Sequence, residues 1–330
     1  MLNRISSFFE NVLYLDAADC QTQFIIISAV LAALVLLAVV LFVRRRKKHR
    51  ESENMTVAEK LTPAETVSPV MVGAEIAQAE GGESKEIEIG STQHIGARTE
   101  QQDVFGVSSD NPAVVAKFGL LAVMADGMGG LSCGAAYAQT AVQTALDSFR
   151  EETPEKNDEA TLLRILKRVR EAADEMEQRD GGTTFIAVLI RNRKMHFVSV
   201  GDSRIYLLRG NGLLQLNREH IYGRELDELA MNGKMSEWEA SHDKQRAALT
   251  SYVGKQNEIT VDRNICPIPL YPSDKVILMT DGVYNFLPEE DLTRLLSLPP
   301  MEAARVVQEA ILVRKAPGQD NLSIIILEII

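Results

Sequence analysis

Three short apolar runs of the chain each lead into an aspartate, and a fourth run begins directly after one. Uninterrupted apolar runs of this length are typical of strands buried on both faces. If the fourth strand runs antiparallel to the others, we expect all four carboxylates to meet at one edge of a sheet. The runs are 118–125, 195–200, 275–280 and 322–330, and the neighbouring acids are Asp126, Asp202, Asp281 and Asp320.

Such a group of acids needs positive charge close by. Four carboxylates share a volume of low dielectric constant only when some bind a proton or a cation lies among them. Carboxylate and backbone carbonyl oxygens are ligands for Mg²⁺, Mn²⁺ or Ca²⁺ rather than Zn²⁺. One Asp-Gly pair alone is better explained as a turn that ends a strand. Four acids at corresponding strand ends instead favour a site for a hard divalent cation.

Charge also restricts the classes of partner. The 330 residues include 35 Lys+Arg and 46 Asp+Glu, which gives a formal net charge of −11. A general nucleic-acid-binding protein would carry a basic face, so we expect no nucleic-acid partner. The charge is unevenly spread, with net values of +4 over residues 1–50, −7 over 51–90 and −8 over the remainder.

An apolar run near the N-terminus predicts one transmembrane helix over residues 24–43, in which Ser28 is the single polar residue. At about 1.5 Å per residue this helix spans about 30 Å, the thickness of a bilayer's hydrocarbon core. The basic cluster Arg44–Arg50 follows, and such clusters stay on the cytoplasmic side. We therefore expect a single-pass protein of the cell membrane, with residues 1–23 outside and the remainder in the cytoplasm.

The cytoplasmic part divides into a linker over residues 44–87 and one domain over residues 88–330. The linker joins the basic cluster to an acidic stretch without sustained apolar periodicity, which is typical of flexible chain. The domain mixes short apolar runs with segments of helical spacing. This pattern predicts an α+β fold of two stacked antiparallel sheets with helices outside. Residues 224–248 have the pattern of short helices.

Six short motifs follow one another along this domain: Gly96–Asp103, Ala125–Gly130, Gly182–Thr184, Gly201–Arg204, Thr280–Gly282 and Asp320–Asn321. In order and residue type they resemble the motifs of the metal-dependent PPM phosphatases, the protein phosphatase 2C family of serine/threonine phosphatases, in its bacterial form. The resemblance covers about residues 88–330 and implies the four-layer αββα sandwich of that family.

The resemblance implies a centre of two Mn²⁺ or Mg²⁺ ions, and bacterial relatives bind a third. Asp126 matches the aspartate that bridges the two metals and positions the water nucleophile. The backbone carbonyl of Gly127 matches a ligand of the second metal. Asp281 and Asp320 match the aspartates that complete the coordination of the first.

Three more residues have counterparts in the family. Asp103 matches an acid that holds a metal through water, and Asp202 matches the residue that binds the third metal together with Asp281. Arg98 stands five residues before Asp103, as the phosphate-binding arginine does in relatives. Its planar guanidinium can donate hydrogen bonds to two phosphate oxygens at once.

Two features bear on the reaction and on substrate choice. Met128 and Leu131 stand where some relatives have a histidine proposed to protonate the leaving group, and a metal-bound water would then take that role. In relatives the stretch 224–248 is a flap beside the metals that is associated with substrate choice. Trp238 lies in this flap, and its residue type favours a packed anchor over a substrate contact.

Together these observations predict a membrane-anchored, cytoplasm-facing phosphatase that uses metal-activated water on phosphoserine and phosphothreonine. Its expected partners are phosphoproteins, above all serine/threonine kinases and their substrates. An alternative is an inactive scaffold of the same fold that binds phosphoproteins, which the full set of metal-ligand aspartates disfavours. A haloacid-dehalogenase-like phosphatase would need a second aspartate two residues after Asp281, where this chain has Val283.

Overall fold

The computed structural model describes residues 70–71, 86–129, 133–152, 157–177 and 180–330, all within the compact unit Thr66–Ile330. The predicted transmembrane helix, the extracytoplasmic residues 1–23 and the basic cluster lie outside these residues. Within the described ranges, no helix combines the length and the apolar character needed to cross a bilayer.

The described residues form strands and helices in a mixed order. The strands are β1 (Val70–Met71), β2 (Ile87–His94), β3 (Asp103–Val107), β4 (Leu120–Gly129), β5 (Gly181–Thr183), β6 (Phe185–Arg191), β7 (Lys194–Val200), β8 (Arg204–Arg209), β9 (Gly212–Gln215), β10 (Asp262–Arg263), β11 (Ile268–Pro269), β12 (Lys275–Met279) and β13 (Leu322–Ile329). The helices are α1 (Pro112–Phe118), α2 (Cys133–Glu151), α3 (Asp158–Asp174), α4 (Tyr222–Met231), α5 (Glu237–His242), α6 (Asp281–Tyr284), α7 (Glu289–Leu296) and α8 (Pro300–Val313).

The strands form two sheets. The first has the order β1-β3-β4-β6-β7-β10, with β5 paired to β4 and β11 paired to β7. The second has the order β2-β13-β12-β8-β9. The described strand pairs are antiparallel except β1–β3, in which Val70 and Met71 pair in parallel with Gly106 and Val107. The first sheet therefore recruits two residues that the sequence pattern assigned to the linker.

The strands read as continuous apolar runs because both of their faces are buried. In β4, Val123 faces α2 and α3, whereas Met124 faces the second sheet. In β12, Leu278 faces the first sheet, whereas Ile277 packs against α7 and α8. Three apolar layers therefore separate four layers of secondary structure, and the predicted αββα sandwich is confirmed.

Candidate metal centre and active site

The four acids that flank the apolar runs come from two sheets. Asp126 lies in β4 of the first sheet, whereas Asp281 follows β12 and Asp320 precedes β13 in the second. Asp202 lies between β7 and β8, where the chain crosses from one sheet to the other. Strands β12 and β13 are antiparallel, which meets the condition set for the fourth strand. The expectation of a single sheet edge is wrong, because the strand order places β4 and β12 in different layers.

The acids are close enough to raise one another's pKa. Burial is the largest influence on Asp126 and raises its pKa well above the usual value, and Asp103, Asp281, Asp202 and Asp320 raise it further. Burial, followed by the charge of Asp281, raises the pKa of Asp202 to about 7. Burial and the charge of Asp320 raise the pKa of Asp281 to about 6. Carboxyl groups whose pKa values are raised in this way are stabilised by a bound proton or by a neighbouring cation.

Asp103 supports this centre from the adjacent strand, where it is the register partner of Asp126. Its Oδ2 accepts hydrogen bonds from Thr280 Oγ1 at 2.9 Å and from Ser323 Oγ at 2.8 Å. Its Oδ1 is buried and has no hydrogen-bond partner among the described residues. Burial is the main reason that the pKa of Asp103 rises to about 7. An unpartnered buried oxygen beside the acids suits a hydrogen bond to a water ligand of a cation.

The motif Gly182–Thr184 fixes the backbone of Asp126. The Thr184 N–H and the Thr183 hydroxyl both donate to the Asp126 carbonyl at 2.9 Å. Thr184 Oγ1 accepts from the Asp126 N–H at 2.9 Å and shares a 2.7 Å hydrogen bond with Ser203 Oγ. The motif therefore holds the main chain and leaves the Asp126 carboxylate available to other partners.

Gly127 follows Asp126 and lies in a tight backbone crossing. A Cβ atom at this position would lie 2.2 Å from the carbonyl oxygen of Gly134 in α2. The Gly127 N–H donates to the Gln102 carbonyl at 3.0 Å. The main chain at Gly127, whose carbonyl is the predicted metal ligand, is therefore held between α2 and the loop before β3. Met128 follows in β4, whereas Leu131 lies outside the described residues.

Backbone contact sets the spacing between Asp281 and Asp320. A Cβ atom at Gly282 would lie 1.8 Å from the Asn321 carbonyl oxygen. The side-chain amide of Gln319 donates to the carbonyl oxygens of Gly282 at 3.0 Å and Asp320 at 3.2 Å. Glycine at position 282 is thus required by close packing of two chain segments, and it brings their two acids together.

Arg98 reaches this centre from the loop between β2 and β3. Its Nη2 donates to Asp320 Oδ2 at 2.5 Å, and its side chain is 55% exposed. The side-chain amide of Asn321 donates to the carbonyl oxygens of Ile95 and Glu100, which holds the loop in place. The structure therefore places the predicted phosphate-binding arginine beside the acids and open to solvent.

The chemistry of these residues fits a divalent cation, although the carboxylates do not form a closed cage. In the part of the chain that the structure describes, no three His, Cys, Asp or Glu side chains are arranged to hold one metal ion. Asp320 is paired with Arg98 instead. The centre offers oxygen atoms as ligands, and its acids raise one another's pKa. The Asp103 Oδ1 atom also has no partner among the described residues. A hard divalent cation would stabilise all of these groups.

The predicted flap, residues 224–248, contains short helices as expected: most of α4 and all of α5. Arg246 joins its ends by donating to both carboxylate oxygens of Asp227, at 2.8 and 2.7 Å. Trp238 is 68% exposed, and its ring stacks on His242 with 4.6 Å between centroids. The interpretation of Trp238 as a packed anchor is wrong, since the short helix α5 buries Ala240 instead.

Several residues that organise this centre had no role assigned from the sequence. Thr183, Thr184 and Ser203 lie inside the recognised motifs, so their place in the sequence indicated that they belong to the site. Their hydrogen bonds could not be predicted from the sequence. Tyr284, whose hydroxyl donates to the Asp202 carbonyl, had no sequence feature that indicated a role in the site, because an aromatic residue after a strand is more often part of a core.

The fold and the site together define a class of protein: an αββα sandwich with a buried acidic centre beside an exposed arginine. The sequence profile of the family Protein phosphatase 2C matches residues 91–311. The chain therefore belongs to the protein phosphatase 2C family. The prediction that it is an enzyme, a metal-dependent serine/threonine protein phosphatase, is confirmed at the level of the family.

Individual relatives agree with this assignment. The serine/threonine phosphatase stp of Listeria welshimeri is 28% identical over 246 residues, which cover 70% of this chain and 91% of the relative. The structure of PppA, a regulatory component of T6SS in Pseudomonas aeruginosa, is 25% identical with a TM-score of 0.58 and covers 74% of this chain and 98% of that one.

A third likeness bears on the fold. PstP, a serine/threonine phosphatase of Mycobacterium tuberculosis, has a catalytic-domain structure in complex with two manganese ions. It is 23% identical to this chain with a TM-score of 0.56, and the match covers 74% of this chain and 98% of that one.

Proposed function

We propose that this chain is a membrane-anchored phosphatase that hydrolyses phosphoserine and phosphothreonine in proteins on the cytoplasmic side of the cell membrane. The observation that carries the proposal is the acidic centre between the two sheets, with Arg98 paired to Asp320 at its rim. The serine/threonine phosphatase stp, which aligns with most of this chain, supports the substrate class.

Mn²⁺ or Mg²⁺ is the proposed cofactor, with two ions and a looser third. Asp126, Asp281 and Asp320 would hold the two ions together with the Gly127 carbonyl, and Asp202 would share the third with Asp281. The two manganese ions of PstP support this choice of metal and number. When bound, the ions activate a water molecule and neutralise charge on the transferred phosphoryl group.

The chain's own residues orient the reacting groups. Arg98 binds the phosphate oxygens, since its exposed guanidinium offers donors in a fixed plane beside the acids. Asp103 orients water through its unpartnered oxygen, because Thr280 and Ser323 already hold the other oxygen in place. Thr183 and Thr184 keep the main chain of Asp126 from shifting when charge develops at the site.

Membrane anchoring and kinase opposition rest on the sequence. The apolar run at residues 24–43 and the basic residues after it support an anchor with the phosphatase domain in the cytoplasm. Serine/threonine kinases and their substrates near the membrane are then the natural partners. The alternative, an inactive scaffold that binds phosphoproteins, has no need for mutually buried acids such as Asp126 and Asp103.

The decisive experiment assays the full-length chain, purified in detergent, with p-nitrophenyl phosphate and a phosphothreonine peptide in the presence of Mn²⁺. We expect turnover that EDTA abolishes. Asp281→Ala should reduce it to background, because the centre loses a ligand, whereas Asp110→Ala, at an exposed position, should not change it. A folded protein that binds the phosphopeptide without turnover would support the scaffold instead.

Location is tested separately. Wild-type chain should sediment with membranes after cell lysis, and a variant that lacks residues 1–43 should appear in the supernatant. Recovery of both proteins in the supernatant would contradict the anchor and leave the proposed chemistry intact.

A further inference from the structure

The turn that carries Asp202 is held by its main chain. The Gly201 N–H donates to His220 Nδ1 at 3.0 Å, and the Tyr284 hydroxyl donates to the Asp202 carbonyl at 3.1 Å. Tyr284 lies one helical turn after Asp281 in α6, a helix that begins at that acid. One short helix therefore carries an acid of the centre and a hydroxyl bonded to the turn of another.

The ring of Tyr284 is fixed by a cation–π contact. The guanidinium carbon of Arg204 lies 3.6 Å from the ring centroid, well within the range of such contacts. The contact restrains the ring from one face, while the hydrogen bond restrains it at its tip.

Arg204 is itself held from two sides. Its guanidinium donates to Glu219 Oε1 at 2.7 Å and to the Tyr206 hydroxyl at 3.1 Å. The Glu219 side chain is 11% exposed, which makes this a sheltered ion pair. Glu219 precedes His220, the residue that holds Gly201, so the contacts close a loop around the Asp202 turn. We call Tyr284, Arg204 and Glu219 the tyrosine clamp.

We propose that Tyr284 is a positioning residue for the cation shared by Asp202 and Asp281, and that Arg204 and Glu219 hold its ring in place. The inference rests on the proposed function, in which these two acids share a divalent ion. The hydroxyl fixes the distance between the turn of Asp202 and the helix of Asp281, and a rigid pair of carboxylates binds a cation more tightly than a mobile pair.

The test removes only the hydroxyl, by Tyr284→Phe in the full-length chain. Loss of one hydrogen bond predicts that Mn²⁺ binds its weaker site about three- to tenfold less tightly, measured as free Mn²⁺ by electron paramagnetic resonance. The matched control is Tyr271→Phe, whose ring also lies against an arginine, Arg209, at 4.8 Å, but which precedes β12 whereas Asp281 follows it, so this variant should bind Mn²⁺ like the wild type. Asp202→Ala should lose the weaker site and so identify it.

Unchanged Mn²⁺ binding in Tyr284→Phe would overturn the inference, as would an equal weakening in Tyr271→Phe. If Tyr284→Phe does not fold, Arg204→Lys keeps the charge but breaks the planar fork, and it should weaken the same binding step. A wild-type chain that binds no Mn²⁺ at all would refute the proposed function itself, which separates the two failures.

Discussion

Gly282→Ala should disable this enzyme through a steric conflict between two backbone segments. The added Cβ atom would lie 1.8 Å from the Asn321 carbonyl oxygen, whereas ordinary contact begins near 3.4 Å, so one segment must move by about 1.6 Å. The Asn321 segment resists because its side chain holds the Arg98 loop, and the amide of Gln319 ties it to Gly282. The strain therefore falls on the spacing between Asp281 and the acid beside Asn321.

The size of the effect follows from the overlap. Overpacking against groups that cannot yield costs about 1–3 kcal/mol, and we expect the upper end because both partners are main chain. For a domain of this size that corresponds to a fall of about 6–12 °C in the unfolding midpoint. A misplacement of about 1 Å at a reacting centre lowers the rate about 100-fold.

Calorimetry and Mn²⁺-dependent turnover of p-nitrophenyl phosphate would measure both effects on one preparation. Gly212→Ala is the matched control, because its Cβ atom would meet nothing closer than the Arg209 carbonyl oxygen at 3.7 Å. This control should keep wild-type stability and activity. A Gly282→Ala variant that unfolds at the wild-type temperature and turns over at the wild-type rate would refute the reasoning.

Two other substitutions distinguish residues that bind the phosphate from residues that hold the main chain of the site. Arg98→Ala should raise KM about 10- to 100-fold with a smaller loss of kcat, because it removes charged hydrogen bonds to the phosphate. Steady-state kinetics of this variant and of Arg98→Lys would show the change. A loss confined to kcat would contradict it. Thr184→Val should lower the unfolding free energy by about 1–3 kcal/mol, since the buried Asp126 N–H loses its acceptor. Denaturant titration would measure that cost, with Thr293→Val as the control, because it removes only a solvent-exposed hydrogen bond to the Glu289 carbonyl.

Much of the fold could be predicted from local pattern. The long runs around Asp126, Asp281 and Asp320 are strands, and the segments of helical spacing are helices, because burial on both faces or on one leaves a distinct periodicity. The pattern says nothing about which strands become neighbours. β4 and β12 have similar sequences but lie in different sheets, so their acids face each other across layers instead of lining one edge.

The centre could be predicted by residue type but not by its contacts. Asp126 and Arg98 stand in recognisable motifs, whereas the bond from Tyr284 to the Asp202 carbonyl joins segments 82 positions apart. The exposure of Trp238 was misjudged for a related reason, since its helix is too short to bury a large ring. Such features depend on tertiary packing, which a single sequence does not display.

The apolar layer between the two sheets adjoins the acidic centre along the chain, and this proximity has an evolutionary consequence. Met124 and Leu278 belong to the apolar layer between the sheets and lie only two and three residues from Asp126 and Asp281. A substitution in this layer that shifts one sheet against the other would displace Asp126 relative to Asp281. Substitutions in this interior layer can therefore change the activity of the enzyme without altering any residue of the acidic centre.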